Sequence, residues 1–367
     1  MKPLMASSVP FIARRSMAAA AFGEHLYFFG GVGANQASES ILDVSNDLWR
    51  FDPVSRRWSQ IPYAATWPEP RRCVGWLARP DGILLWGGSG ITAQGQGHRH
   101  TFLNDEWLFD PATSTWRQIE ESDDHLRPPA ADDAGRSRPG PRYTPVIESI
   151  GDQLILFGGY TEDAAGKRQL NDTWVRDGRG WTLVPPTDAP GYDFGATYPA
   201  PRYGCMHAAD QTHLYICGGA SQHDDHMDVW RFDVARGSWE LLASASADPA
   251  PSPRYCAALT LSGDDLVLFG GRSRWKPKLN YNDLWLFNLR ARQWRCIQPN
   301  SEPHDYSARA PRPAYHAKSA VARMGDWLYI WGGEGRQGHV SDFWRLQLGH
   351  FQWDIIQPAR EDDPILW

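Results

Sequence analysis

The sequence predicts an all-β fold assembled from six copies of one four-stranded antiparallel unit. Two recurring patterns carry that prediction. A short apolar run stopped by two glycines appears as Leu26–Gly31, Ile83–Gly88, Leu154–Gly159, Leu214–Gly219, Leu266–Gly271 and Leu328–Gly333. Such a run reads as a buried strand whose end needs a backbone conformation that glycine adopts cheaply. Downstream of each copy lies an acidic-x-aromatic signature: Asp47-Leu48-Trp49, Asp105-Glu106-Trp107, Asp172-Thr173-Trp174, Asp228-Val229-Trp230, Asp283-Leu284-Trp285 and Asp342-Phe343-Trp344.

Each unit begins upstream of its glycine pair with an arginine that opens a further apolar strand: Arg14 or Arg15, Arg71 or Arg72, Arg142, Arg202, Arg254 and Arg312. Each closes on a single tryptophan: Trp58, Trp116, Trp181, Trp239, Trp294 and Trp353. Four strands per unit follow, named a to d from the arginine strand to the last tryptophan strand. The abundance of turn formers and of tryptophan, 34 Gly, 28 Pro and 19 Trp, suits many short strands joined by turns.

An arginine-opened strand, an apolar strand ending Gly-Gly, an aromatic strand and a strand with a tryptophan together resemble the kelch repeat. The resemblance covers about residues 12–355. It implies an all-β, six-bladed β-propeller with four-stranded antiparallel blades at about 12–62, 70–120, 141–185, 201–243, 253–298 and 311–357. Residues 1–11 are then an N-terminal extension and 358–367 a C-terminal tail. Arg14-Arg15 followed by alanines looks like part of an export signal, but its alignment with Arg142 and Arg202 makes it the opening strand of the first blade.

Composition narrows the function classes. A formal charge of -6 gives no general basic face for nucleic acid, and no apolar run is long enough to cross a membrane. The five cysteines form no C-x-x-C pair and are odd in number, which argues for a reducing, cytoplasmic setting rather than a disulfide framework. A monomer is expected.

In an up-and-down meander the a–b and c–d turns share one face of the ring, and the b–c and d–a connections share the other. The first set is short. The long connections, 32–45, 89–103, 117–141 and 184–201, collect on the second, which is therefore the expected binding face. The candidate ligand-binding residues there are Arg72, Arg142, Arg202, Tyr203, Arg254, Tyr255, Arg312, Tyr315 and Trp275, because guanidinium groups hold oxyanions and aromatic rings stack. Tyr143 belongs with these tyrosines. The expected function is recognition of a partner protein or acidic peptide.

The competing expectation is an enzyme acting on an anionic small molecule at the channel mouth. Its candidate catalytic residues are Glu334, Arg202 and Arg254, for a metal-free isomerase resembling the bacterial sialic-acid mutarotases. A lyase would instead need a divalent Fe, Zn or Ni ion held among His98, His100, His223 and His226. The chain also resembles the plant specifier proteins in its repeats. Their Glu-x-x-x-Asp-x-x-x-His iron motif is absent: Gly338 and Asp342 stand where the Asp and His would fall after Glu334. No cofactor is required by the sequence.

Overall fold

The computed structural model describes residues 13–33, 44–94, 97–123, 138–163, 166–185, 197–275, 280–301, 312–335 and 338–358. Within them, six antiparallel sheets follow one another along the chain, each with its strands paired in sequence order. Blade four shows the pattern, with strands Met206–Ala209, His213–Ala220, Asp225–Asp233 and Ser238–Ala243. Blade one has Ala18–Phe22, His25–Phe29, Leu48–Asp52 and Arg57–Gln60. The molecule is a six-bladed β-propeller.

Alternation along strand b builds the ring. Leu26 and Phe28 point into a cluster with Tyr329, Trp331 and Phe343 of blade six, while Tyr27 and Phe29 point into one with Ile83, Leu85 and Phe109 of blade two. The same period of two joins blades two and three, three and four, four and five, and five and six. Each blade is thus apolar on both faces, and the first and last pack on each other as the other neighbours do. The sequence left the seam to 9–12 or 365–367, segments that lie outside the described residues.

A second device stitches the ring at its axis. Two residues beyond the start of each blade the backbone is left-handed, at Ser16, Cys73, Thr144, Gly204, Cys256 and Lys318, with φ between 49° and 62°. These residues link blade to blade. Ser16 N–H donates to Lys318 O at 2.7 Å, Thr144 N–H to Cys73 O at 2.9 Å, Cys256 N–H to Gly204 O at 2.9 Å and Lys318 N–H to Cys256 O at 3.0 Å.

The glycine pair is required because the next blade lies against it. The N–H of the second glycine donates to the carbonyl of the following blade's opening residue, as in Gly159 to Arg202 O and Gly219 to Arg254 O. Gly30 has φ +71°, and a Cβ there would fall 2.5 Å from Arg71 O.

The structure differs from expectation at 89–103. That stretch continues the sheet: strands Gly82–Gln94 and Gly97–Asp110 pair well past the glycines, with His98 opposite Ala93 and His100 opposite Ile91. Blade three extends likewise through Gln153–Asp163 and Gly166–Asp177. In both, the irregularity at the glycines is a bulge after which pairing resumes, rather than the end of a strand.

Candidate functional site

Four of the blade-opening arginines are structural. Arg71, Arg142, Arg202 and Arg254 are at most 1% exposed. Each reaches the aspartate of its own blade's third-strand signature: Arg142 to Asp172 at 2.6 and 2.8 Å, Arg202 to Asp228 at 2.5 and 2.8 Å, Arg254 to Asp283 at 2.5 and 2.9 Å, Arg71 to Asp105 at 2.7 Å. Each also donates to the first glycine of the pair, sixteen residues on. The aspartate in turn accepts the tryptophan Nε1–H two residues later, at 2.6–2.8 Å. This arrangement satisfies a fully buried cation, as burial demands. The guanidinium groups of Arg142, Arg202 and Arg254, expected to face a ligand, are thus buried and paired within their own blades.

Blade six departs from the arginine pattern. The residue sixteen before Gly332 is His316, whose Nδ1 lies 2.9 Å from Gly332 O and whose Nε2 lies 3.1 Å from Asp342 Oδ2. Arg312 lies four residues earlier, bonded to Pro299 O at 2.9 Å and to Ser301 Oγ. Tyr315 consequently precedes the opening position and is buried, at 5% exposure. It is not the counterpart of Tyr143, Tyr203 and Tyr255.

What lines the mouth is the residue after the opening one, together with the residue after each glycine pair, bridged to it across the strands. The pairs are Arg15 with Val32, Arg72 with Ser89, Tyr143 with Tyr160, Tyr203 with Ala220, Tyr255 with Arg272 and Ala317 with Glu334. Their side chains divide the mouth in two. On blades three to five lies an aromatic arc: Tyr143 against Tyr160 at 5.1 Å, Tyr160 against Tyr203 at 5.7 Å and Tyr203 against Tyr255 at 5.8 Å between ring centroids. Phe102, from the extended hairpin of blade two, stacks on Tyr143 at 5.4 Å.

On blades five, six and one lies a cationic group. Glu334 sits at its centre and takes Lys318 Nζ at 3.1 Å, Arg15 at 3.3 Å and Arg272. Three cations thus face one carboxylate. Burial works against its charge, yet Lys318, Arg272 and Arg15 overcome that penalty and hold the carboxyl down at about 2. Arg272 also lies over the Tyr255 ring at 6.0 Å.

A lip from blade five links the halves. Asp225 Oδ2 of blade four accepts Ser273 Oγ–H at 2.7 Å and Arg274 N–H at 2.8 Å, anchoring the start of the lip. Arg274 then donates to Tyr203 OH at 2.9 Å and lies 5.5 Å over the Trp275 ring, which is 49% exposed. Arg72 lies beside Tyr143, where its charge opposes the upward shift that burial imposes on the phenol.

His223 is exposed in a turn closed by Ser221 N–H to Asp224 O at 2.8 Å. His226 is partly buried, and burial first and Arg202 second push it down to about 4. The side chains of His98 and His100 lie outside the described residues. Among the described residues, no three His, Cys, Asp or Glu side chains are placed to hold a metal ion. The sequence missed Lys318, Arg15, Tyr160 and Phe102 as mouth residues. Counting back sixteen from each first glycine would have found the opening positions, and with them Lys318.

Fold and site together define a kelch-type propeller. The family model described as "KLHDC2/KLHL20/DRC7 Kelch-repeats domain" matches residues 1–134 and 131–310, and the chain belongs to the kelch-repeat family. It is 28% identical to human "Kelch domain-containing protein 3" over 87% of this chain and 77% of that protein. It is 29% identical to mouse "Multiple epidermal growth factor-like domains protein 8" over 84% of this chain, spanning 10% of that relative's length. Xenopus laevis "Kelch domain-containing protein 10" is 26% identical over 45% of this chain and 40% of its own. Among the described residues no helix is long and apolar enough to cross a membrane.

Proposed function

We propose that this chain recognises a partner protein by seating an acidic segment of it in the divided mouth. Kelch-repeat domains are typically protein-interaction modules. The observation that carries the choice of an acidic segment is that two partly exposed cations, Arg272 and Lys318, share the carboxylate of Glu334. Lys318 and Arg272 retain 20% and 23% side-chain exposure, so both are within reach of a ligand. Tyr143 and Tyr160, the half-buried members of the tyrosine arc, offer rings for apolar or aromatic residues of the same segment, and Arg274 with Trp275 forms the lip over which it would leave. Anion and ring contacts side by side give both steering and specificity.

A fluorescein-labelled Asp/Glu-rich peptide, followed by polarisation at low and moderate salt, tests this. Lys318→Ala with Arg274→Ala is expected to weaken binding about tenfold, and added salt to weaken it further. Equal binding of a Lys-rich control peptide, or unchanged affinity in the double variant, would overturn the proposal.

A further inference from the structure

We infer that the ring yields first on its channel side at the joint between blades three and four, and that Glu148 and His207, which face each other there, govern the opening. Two features set this joint apart. Along the axis, Cys73 N–H donates to Ser16 O, Ser16 to Lys318, Lys318 to Cys256, Cys256 to Gly204 and Thr144 to Cys73. Among the described residues, the bond from Gly204 N–H to Thr144 O that would complete this circle is not formed, and Thr144 Oγ1 is buried without a partner. The outer part of the joint is tied, with Gly159 N–H donating to Arg202 O at 3.0 Å and Trp239 Nε1–H to Thr173 Oγ1 at 2.9 Å. Opening is thereby confined to the channel wall.

The second feature is the wall itself. Glu148 alternates with Val146 and Ile150, and His207 with Cys205 and Ala209, so both side chains enter the apolar cluster between these blades. In other joints the same two places hold Ala20 with Trp76, Leu77 with Ile147 and Ala208 with Leu259. His207 Nε2 and Glu148 Oε2 stand 4.0 Å apart, too far for a hydrogen bond, and the side chains are 33% and 27% exposed. Burial raises Glu148 to about 7, against a hydrogen bond from Ser149 N–H, and lowers His207 to about 4. Among the described residues, the titratable groups around the pair are Cys205, whose thiol burial pushes up to about 12, Asp210 and His213, bonded to each other at the foot of blade four, and Arg79 of blade two, paired with Asp81. Tyr215 and Cys217 point into the next joint.

Closed, the pair holds its one proton on the carboxyl and both groups are neutral. Solvated, between pH 4.5 and 6.5, it holds that proton on the imidazole. The Glu148 contribution to the closed joint is full below 4.5 and lost as pH rises through about 7; that of His207 is full above 6.5 and lost as pH falls through about 4. Between 4.5 and 6.5 the two slopes cancel. Removing either partner leaves the slope of the other exposed.

The test is hydrogen exchange read by mass spectrometry at pH 5.5 and 6.5, corrected for the chemical rate, on the wild type, Glu148→Gln, His207→Gln and the double variant Glu148→Leu with His207→Ile. In the wild type, strands Val146–Ile150 and Met206–Ala209 are expected to exchange faster than Ala258–Ser262 and Ala320–Met324, by the same factor at both pH values. From pH 6.5 to 5.5, opening is expected to grow roughly fivefold in Glu148→Gln and to shrink by a similar factor in His207→Gln. The double variant, which installs the pair that Leu77 and Ile147 form one joint earlier, is expected to slow exchange. Wild-type strands of this joint exchanging no faster than the other two overturn the inference that the ring yields here. Slopes of the same sign in both single variants, or none in either, overturn the role of the pair. Should the single variants fail to fold, a double variant that exchanges as fast as the wild type overturns that role instead.

Discussion

His316 and Asp342 form the titratable counterpart of the arginine–aspartate bridges in other blades, with Nε2 and Oδ2 3.1 Å apart and the imidazole 2% exposed. Burial lowers the basicity of His316. Asp342, by charge and hydrogen bond, more than reverses this, with Gly332 O assisting, and the folded pKa stands above its ordinary value of 6.5. The sign follows: a raised folded pKa stabilises the fold fully below 6.5 and loses that stabilisation as pH rises through the folded value.

His316→Gln keeps a donor for Asp342 but never carries charge. The wild type is therefore expected to be the more stable below pH 6.5, with the gap narrowing above it. Urea titrations of both proteins from pH 5.5 to 9 measure this. A gap independent of pH would mean that folding leaves the basicity of His316 unchanged, and a gap that shrinks as pH falls below 6.5 would mean that His316 is buried neutral.

Arginine bridges elsewhere are expected to be unforgiving. Arg202 makes two bonds to Asp228, one to Gly218 O at 3.1 Å and one to Ala200 O at 2.9 Å. Arg202→Met leaves Asp228 as a buried charge without its partner, at a cost of about 3–5 kcal/mol. Arg202→Lys restores the charge but not the planar fork and recovers only part of that. Equal stability of the Lys variant and the wild type in chemical denaturation would show that charge alone is needed.

Left-handed positions give opposite predictions according to what surrounds them. Gly30→Ala combines φ +71° with a Cβ 2.5 Å from Arg71 O, so a loss of about 2 kcal/mol or more is expected. Ser114, at φ 56°, occupies the same place in its c–d turn as Gly237 of blade four, four residues after an aspartate that caps the turn. Ser114→Gly is expected to add about 0.5–1 kcal/mol by relieving the strain of a side chain there. Thermal melts of the two variants should move in opposite directions.

Much of this was legible because it repeats. The glycine pairs, the aspartate–tryptophan signatures and the alternation of Leu26, Tyr27, Phe28 and Phe29 report constraints imposed in every blade, so six copies announce them. The arginines, read as ligand-binding groups, pair instead with these aspartates, and residue identity misled again at blade six. Arg312 matched the type sought, whereas His316 matched the spacing that the sheet geometry imposes. The mouth was less legible for the opposite reason. The residues after the glycine pairs are Val32, Ser89, Tyr160, Ala220, Arg272 and Glu334. They vary because they lie outside the repeated blade-to-blade clusters, and their convergence depends on ring closure rather than on any local pattern.

Closure itself can be tested at the seam. Phe28 of blade one packs on Trp331 at 6.3 Å and on Phe343 at 5.9 Å of blade six, although among the described residues no strand is shared between the ends of the ring. Phe269, the counterpart of Phe29, is buried in the interface between blades five and six, 4.5 Å from Trp353. Were the seam a weak point, Phe28→Ala would uncouple the end blades and produce an early partial transition. The seam, however, is packed from both faces and stitched by Ser16 N–H to Lys318 O. Phe28→Ala and Phe269→Ala are therefore each expected to cost about 3–5 kcal/mol while keeping a single transition. Calorimetry that resolves two transitions in Phe28→Ala alone would show that the ring opens first between its ends.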